Sequence, residues 1–249
     1  MKNSAKVLLY DVELSPNISY TWGKYEQNAI AFVRERMVIS IAWKWLDKSK
    51  VYCVALPNFK TYKKNKHDNK AMIRKFHKVL TQADIVIAHN GNRFDEKQLA
   101  TDFAKKDIKP PTPHKSIDTL IVARRYFRFN SNSLHDLGIA LGVGGKMKHE
   151  GFDMWLGCMA GDKKSWAQMV KYNKHDVVLL EKVYKKMLPW ISSHPNLTHF
   201  SGDRASCSGC GSSNTERRGK MFYAGSSRSR LQCRDCGKWS LGESVKNKI

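Results

Sequence analysis

Four cysteines near the C-terminus constrain the fold more than any other feature of the sequence. Cys207 and Cys210 form one CxxCG motif, Cys233 and Cys236 form a second, and 22 residues separate the two motifs. Each motif can direct two thiolates at one ion, and the glycine that follows relieves backbone strain in the turn. The spacing therefore predicts a closed four-cysteine site for one structural Zn²⁺, held in a small β-rich zinc ribbon.

A change in composition after Pro195 separates this module from the rest of the chain. The residues beyond it are rich in Ser, Gly, Arg and Cys and poor in aliphatic side chains. We therefore predict a main domain over residues 1–198, the zinc ribbon over 199–242 and a flexible tail over 243–249. The main part is long enough to bury a hydrophobic core of its own.

The main part alternates apolar strands with amphipathic helices. Residues 6–14 are predicted as a strand, VISIAWKWL and VYCVAL as an antiparallel hairpin, and DIVIAH as a further strand. Helices are predicted over residues 70–80, 94–106, 133–141 and 166–187. The type of IDTLIVARRYF stays open, and the segment with Pro16, Asn17 and Gly23 is predicted as a loop. The pattern indicates an α/β fold, a sheet flanked by helices.

The net charge predicts a polyanionic partner. The chain has 44 Lys and Arg against 22 Asp and Glu, a formal charge of +22, which excludes an ordinary enzyme of small neutral metabolites. Nucleic acid is the first candidate, because no apolar run approaches the roughly 20 residues that span a bilayer. The N-terminal residues lack the apolar core of a signal peptide, so we expect a cytoplasmic protein.

Acidic residues stand where an α/β sheet can present them together. Asp11 and Glu13 lie two apart in the first strand, so their side chains point to the same face. Asp95 follows the strand DIVIAH at the start of a helix, at the sheet edge where open α/β sheets place their sites. Tyr172 and Asp176 lie four apart on one helical face. Taken singly, each acid also has an ordinary explanation as a strand end, a helix cap or a surface residue.

Together these residues form an ordered pattern of D-x-E, N-x-x-x-F-D over residues 90–95, and Y-x-x-x-D. Over about residues 6–190 the sequence resembles the DEDD exonuclease superfamily of the ribonuclease-H-like fold. It is similar in particular to the exonuclease domain of family-B DNA polymerases and its stand-alone phage and bacterial relatives. The histidine branch of that superfamily would have His where Lys171 stands, so Tyr172 places the chain in the tyrosine branch. The resemblance implies a ribonuclease-H-like mixed β-sheet.

The resemblance implies a metal-dependent 3′ to 5′ exonuclease that hydrolyses DNA, single-stranded for preference, by a two-metal-ion mechanism. Carboxylates suit Mg²⁺ or Mn²⁺, and two such ions activate water and absorb charge on the leaving oxygen. By resemblance, Asp11 would bridge the ions, while Glu13 and Asp176 would complete the site of the attacking water. Asp95 would serve the second ion, and Tyr172 would orient the water. A bacterial or phage-infected cell is the expected setting.

Nucleic-acid contacts are predicted in two parts of the main domain. By resemblance, Asn90 and Phe94 position the terminal nucleotide, although Phe94 fits a core aromatic equally well. The basic run FKTYKKNKHDNK has no helical or strand period. It is predicted either as a solvated loop or as a mobile loop that grips a strand through Lys60, Lys63 and Lys64.

The ribbon offers a third group of contacts. Residues 201–249 contain ten Lys or Arg against four Asp or Glu. Aromatic residues interleaved with cations suit nucleic acid, because bases stack on rings while phosphates meet the charges. The residues predicted to bind are Arg217, Arg218, Arg228 and Arg230. Phe222 and Trp239 are expected to form the small core of the ribbon instead.

Three alternatives to a DNA exonuclease stay open at this point. They are a 3′ to 5′ exoribonuclease, a structure-specific endonuclease, and a non-catalytic nucleic-acid-binding adaptor. No residue distinguishes DNA from RNA. The presence of all four acids and Tyr172 argues against the adaptor. The ribbon is also a possible docking point for a replication or repair protein, and the sequence leaves the oligomeric state open.

Overall fold

A five-stranded mixed sheet organises the main part of the molecule in the computed structural model, which describes residues 4–25 and 28–246. The first seven strands are β1 (Val7–Leu14), β2 (Ile18–Tyr20), β3 (Ala31–Arg34), β4 (Val38–Trp45), β5 (Tyr52–Ala55), β6 (Ile85–Ala88) and β7 (Lys115–Asp118). The order in the large sheet is β5-β4-β1-β6-β7. β4 runs antiparallel to β1 and β5, whereas β6 runs parallel to β1 and β7. The predicted hairpin is therefore present as β4 and β5, and the predicted strand DIVIAH is present as β6.

Helices cover both faces of this sheet. They are α1 (Lys70–Leu80), α2 (Asp95–Lys105), α3 (Thr119–Tyr126), α4 (Leu134–Ala140), α5 (Asp153–Ala160), α6 (Lys163–Met187) and α7 (Thr198–Ser201). Side chains of Asp118, Ser133 and Asp162 accept backbone hydrogen bonds at the starts of α3, α4 and α6. α6 ends just before Pro189, which has no amide hydrogen to continue it. The undecided segment IDTLIVARRYF contains the end of β7 and the whole of α3.

Alternation along β1 decides which side chains face which layer. Leu8 and Tyr10 pack in the core beneath α1, whereas Val7 and Leu9 pack in the core beneath the C-terminal half of α6. Asp11 continues the odd-numbered series, and so does Glu13 two residues on. Both acids therefore lie on the α6 side of the sheet.

A second, three-stranded antiparallel sheet follows α7. It consists of β8 (Thr215–Tyr223), β9 (Ser226–Cys233) and β10 (Trp239–Lys246), in the order β10-β9-β8. Cys210 and Cys236 pack against the core that contains the end of α6 and the buried residues Leu188, Ile191 and Leu197, which follow it. Lys238 Nζ donates a 2.5 Å hydrogen bond to the Ile191 carbonyl. Apolar contacts and a hydrogen bond therefore join the zinc ribbon to the hydrophobic core of the main part.

Two predictions about this module are wrong. The predicted flexible tail begins at residue 243, but β10 continues to Lys246, because Val245 and Lys246 pair with β9; residues 247–249 lie outside the described residues. Phe222 and Trp239 do not form a core, since 74% and 50% of their surfaces are exposed. In so small a module a metal site can take the place of a hydrophobic core.

Three segments of the main part also differ from expectation. The segment predicted as a loop after β1 contains the antiparallel pair of β2 and β3. Helix α5 was not predicted, because its sequence DMWLGCMA is apolar on nearly every side and has no capping side chain. The basic run contains a 3₁₀ turn at Lys60–Lys63, and the Tyr62 hydroxyl accepts a 3.1 Å hydrogen bond from Trp166.

Within residues 4–25 and 28–246, no helix combines the length and apolar character that crossing a membrane requires.

Candidate active site

Three of the predicted acidic ligands converge at one end of β1. Asp11 and Glu13 come from β1 and Asp176 comes from α6, and one carboxylate oxygen of each lies within 4.8 Å of those of the other two. Asp176 is fully buried, and the two β1 acids are partly buried. Three carboxylates so close together repel one another unless a cation or protons intervene.

The electrostatics of the cluster fit a divalent cation. Burial, reinforced by the charge of Asp176, raises the pKa of Asp11 to about 7. Burial and then the charges of Asp11 and Asp176 hold the pKa of Glu13 well above its usual range. Asp176 Oδ1 is buried and has no hydrogen-bond partner among the described residues. Hard cations such as Mg²⁺ take oxygen ligands of this kind, so the donor set suits a metal ion.

Asp95 stands beside the cluster rather than within it. It is the first residue of α2, and its Oδ1 accepts a 3.1 Å hydrogen bond from the backbone N–H of Val12 in β1. Burial and then the charge of Asp11 raise its pKa to about 8. A cavity of about 330 Å³ joins it to Asp11 and Glu13. Asp95 therefore lies beside the three converging acids and shares a cavity with two of them.

The same cavity contains both residues that were predicted to hold a terminal nucleotide. Asn90 and Phe94 line it together with the acids. Phe94 is 47% exposed, so the alternative of a core aromatic is wrong. The volume lies at the lower end of the range of small-ligand sites, about 300 to 1,000 Å³.

A tight turn after β6 positions Asn90 and Phe94 at the cavity. Asn90 adopts a left-handed backbone with a φ of 62°. A Cβ atom at Gly91 would lie 2.4 Å from the Ala88 Cβ, so only glycine fits there. The buried carboxylate of Asp118 accepts hydrogen bonds from the backbone N–H groups of Asn90 (2.9 Å) and Asn92 (3.2 Å). Asp118 is therefore a positioning residue, whereas the sequence pattern of its segment, IDTLIVARRYF, left even the type of element open.

Asn173 orients Asp11 and was not predicted. Its Nδ2 donates a 2.7 Å hydrogen bond to Asp11 Oδ2, and its Oδ1 accepts a 2.9 Å bond from the Ser40 hydroxyl in β4. Asn173 is fully buried on α6, three residues before Asp176, and therefore on the same face of the helix. That spacing was the available signal for its role.

Lys146 is the second residue that sequence reasoning missed. Its Nζ lies 2.6 Å from Asp176 Oδ2 and donates a 2.9 Å hydrogen bond to the Tyr172 hydroxyl. Burial disfavours the ammonium group, but the charge of Asp176 outweighs it and raises the pKa of Lys146. His175 Nε2 lies 2.9 Å from the Gly145 carbonyl oxygen and anchors the segment that carries Lys146. No periodicity in that Gly-rich segment could have indicated the contact.

Tyr172 keeps its proton at neutral pH. Burial and then the charge of Asp176 raise its pKa to about 12. Because its oxygen accepts the hydrogen bond from Lys146, its own O–H can be donated to another acceptor. The structure thus places Tyr172 directly beside the acid cluster.

Replacing Lys146 with Met should destabilise the protein in chelator by about 2 kcal/mol. This is below the roughly 3–5 kcal/mol for breaking a fully buried pair, because about a third of the lysine side chain is exposed. Added Mg²⁺ should restore much of the loss, since a cation would again balance Asp176. Thermal unfolding with and without Mg²⁺ measures this, with the exposed neighbour Lys148→Met as control. An equal loss in both conditions would contradict it.

The four predicted cysteine ligands also converge. The sulfurs of Cys207 and Cys236 lie 3.6 Å apart, as do those of Cys210 and Cys233. All four sulfurs lie within 4.8 Å of one another. A set of four thiolates with this spacing can hold one metal ion, and it is the donor set that structural zinc sites use.

The Arg and Lys residues predicted to contact nucleic acid differ in exposure and in the contacts that they already make. Arg217 and Arg230 are exposed on the ribbon. Arg218 forms an ion pair with Glu216 at 3.0 Å, and Arg228 Nε donates a 2.7 Å hydrogen bond to the Gly242 carbonyl. The side chains of Lys60, Lys63 and Lys64 are exposed on the basic run.

Comparison with known proteins agrees with this fold. The sequence profile of the RNase H superfamily matches residues 35–188, more than half of the chain. No curated protein matches it significantly. Among solved structures, the family B DNA polymerase from the hyperthermophilic archaeon Pyrobaculum calidifontis aligns with a TM-score of 0.55 and 16% identity. The alignment covers 74% of this chain and 25% of the polymerase chain, and at this identity it shows the fold alone.

The family match supports nuclease activity in general and a nucleic-acid substrate. The mixed sheet and the flanking helices agree with this family. The chain therefore belongs to the RNase H superfamily.

Proposed function

We propose that the protein is a 3′ to 5′ exonuclease that hydrolyses single-stranded DNA with two divalent metal ions, Mg²⁺ or Mn²⁺. Asp11, Glu13 and Asp176 would hold the ions, with Asp95 completing the second site. The convergence of the three carboxylates supports this most directly, together with a buried oxygen of Asp176 that has no hydrogen-bond partner among the described residues.

The residues around the cluster have separate tasks in this proposal. The bound ions would supply the positive charge that makes water a nucleophile and stabilises the leaving oxygen. Asn173 fixes the orientation of Asp11, and Lys146 balances the charge of Asp176. Tyr172 stays protonated, and its O–H group would donate a hydrogen bond that orients the attacking water.

Charge and shape support a nucleic-acid end as the substrate. The net charge of +22 suits a polyanion, and the cavity beside the acids offers Phe94 for stacking and Asn90 for hydrogen bonding. The preference for DNA rests on the resemblance to polymerase exonuclease domains. The ribbon, by the same proposal, holds one structural Zn²⁺ and is available for DNA or for a replication or repair protein.

Digestion of end-labelled linear and circular DNA and RNA, with Mg²⁺, Mn²⁺ or chelator, tests the proposal. We expect stepwise shortening of linear single-stranded DNA from its 3′ end, with circles left intact and no reaction in chelator. Cleavage of circles would show an endonuclease instead. Faster digestion of RNA would reassign the substrate, and binding without any cleavage would indicate an adaptor.

Replacing Tyr172 with Phe should slow cleavage by about 10²-fold or less, because only the orientation of the water is lost. The concentration of Mg²⁺ at half-maximal activity should not change, since the ligands remain. Single-turnover rates over a range of Mg²⁺ concentrations measure both quantities. Tyr126→Phe, which removes a hydroxyl that contacts Ser192 outside the cavity, is the matched control. A higher Mg²⁺ requirement would show that Tyr172 acts in metal binding.

Replacing Lys60, Lys63 and Lys64 with Gln should weaken binding of single-stranded DNA and reduce its dependence on salt. Each phosphate contact contributes about 0.7 to the slope of log affinity against log salt, so the slope should fall by up to about 2. Lys66 is left in place, because its Nζ donates to the Ala160 carbonyl at 3.0 Å. The exposed lysines of the β4–β5 turn, Lys48 and Lys50, provide the control.

An unchanged salt slope in the triple variant would remove the basic run from the binding surface. A slope that falls equally in the control would mean that general charge, rather than this segment, sets the affinity.

A further inference from the structure

The hairpin of β2 and β3 exposes apolar side chains that nothing in the described structure covers. We call its described residues, 18–25 and 28–34, the β2–β3 arm. Its exposed apolar residues are Ile18, Tyr20, Trp22, Tyr25, Ile30, Phe32 and Val33. Trp22 and Tyr25 are 87% and 88% exposed. A lone two-stranded hairpin is marginally stable in water, and clustered exposed apolar surface marks an interaction site.

The base of the arm lies next to the acid cluster. The arm follows β1, in which Glu13 lies two residues before Ser15. Ser15 closes the base, because its N–H donates to the Met37 carbonyl at 2.8 Å and its hydroxyl accepts from the Met37 N–H at 2.9 Å. A cavity of about 340 Å³ separates this base from Phe152 and Trp155 of the α5 region. The arm therefore begins directly after the strand that carries Asp11 and Glu13.

Two cations, Lys24 and Arg34, belong to the arm. Burial and then the charges of Arg34 and Lys66 lower the pKa of His67 in the basic run. Glu35, which directly follows the arm, forms an ion pair with Lys105 at 2.6 Å. Lys24 lies over the ring of Tyr25 at 5.7 Å. The arm therefore combines exposed aromatic rings with nearby cations, which is the composition of surfaces that bind single strands.

We infer that the β2–β3 arm is a stacking platform for the bases of the single strand whose end lies at Asp11, Glu13 and Asp176. The inference rests on the proposed function and adds a second binding region to it. The terminal nucleotides would occupy the cavity with Phe94, and bases further along the strand would stack on Tyr20, Trp22 and Tyr25. Stacking tolerates any sequence, because every base has a π-face.

Binding measurements on protein made inactive by Asp11→Asn test this inference. In that background, Trp22→Ala with Tyr25→Ala should weaken binding of a single strand of about 12 nucleotides by about 30-fold. Binding of a trinucleotide should not change, because it does not reach the arm. Abasic sites in the upstream half of the longer strand should remove the difference between parent and variant. Trp190→Ala, another exposed tryptophan, is the matched control and should bind both strands normally.

Any of three other outcomes of these measurements would overturn the inference. Equal affinity of parent and variant for the longer strand shows that the arm does not contact it. Equal weakening for both strands shows that the arm acts through the fold of the site. Unchanged affinity together with loss of a dimer in light scattering assigns the arm to a second copy of this chain.

Cleavage of the trinucleotide keeps this inference separate from the proposed function. With Asp11 restored, the arm variant should cleave the trinucleotide at the parent rate and lose activity only on the longer strand. If the parent cleaves neither, the proposed function fails, whereas the binding comparison still decides the role of the arm.

Discussion

Asp11→Asn should reduce cleavage by at least about 10³-fold, equivalent to about 4 kcal/mol of transition-state stabilisation. Asp11 is one of the three converging carboxylates, and its Oδ2 is already oriented by Asn173. The asparagine has nearly the same shape, so binding of DNA should persist. Initial rates on single-stranded DNA, together with affinities in chelator, measure the two effects.

The same substitution should not harm the fold. Burial and the charge of Asp176 raise the pKa of Asp11 from 3.8 to about 7, so in chelator the ionised carboxylate destabilises the folded state. This cost grows as the pH rises from about 4 to 7 and is fully present above pH 7. The variant lacks the ionised carboxylate, so its melting temperature should exceed that of the parent. The difference should grow from about pH 4 to pH 7 and stay constant at higher pH.

Asp107→Asn is the control for both measurements. Asp107 is exposed at the end of α2 in a left-handed conformation that asparagine also adopts. It should retain parent activity and show no such pH-dependent gain. Wild-type activity in Asp11→Asn would reject the proposed site.

Cys233→Ser should release the metal of the ribbon and unfold that module. A structural zinc site contributes about 10–16 kcal/mol of apparent binding free energy in small zinc peptides, and a ribbon with exposed Phe222 and Trp239 has little core to replace it. Zinc content should fall from about one ion per chain to none. Protease should then cut within residues 201–246 while leaving the main part intact.

Loss of the ribbon should also lower the stability of the main part by about 3 kcal/mol, because Ile191 and Leu197 lose their cover. Thermal unfolding followed in the main part measures this. Cys158→Ala, a buried cysteine away from the ribbon, should retain zinc and protease resistance. Full zinc content in Cys233→Ser would contradict the four-cysteine site.

Elements with one buried and one exposed face could be predicted from the sequence. Helix α1 has the predicted bounds, since Met72, Ile73, Phe76 and Leu80 repeat at helical spacing and all face the core. The β2–β3 arm has no buried face and hence no such period. Helix α5 could not be predicted for the opposite reason, because apolar residues occupy nearly every side of it.

The ligands of the candidate site could be predicted, whereas the residues that support them could not. Asp11, Glu13 and Asp176 carry the chemistry in their residue type and spacing. Asn173 contacts Asp11 across 162 positions of sequence, and Lys146 reaches Asp176 across 30. Such contacts depend on how α6 lies over the sheet, and the spacing of Asn173 from Asp176 indicates a shared helical face but not the contact with Asp11.

Anyone wishing to shorten this protein to its nuclease part must account for the contact between the ribbon and α6. A cut at residue 198, where the composition changes, would expose the apolar surface around Leu188, Ile191 and Leu197. It would also remove Lys238 from the Ile191 carbonyl. Fragments ending there should therefore aggregate during purification unless those apolar positions are first replaced by polar residues.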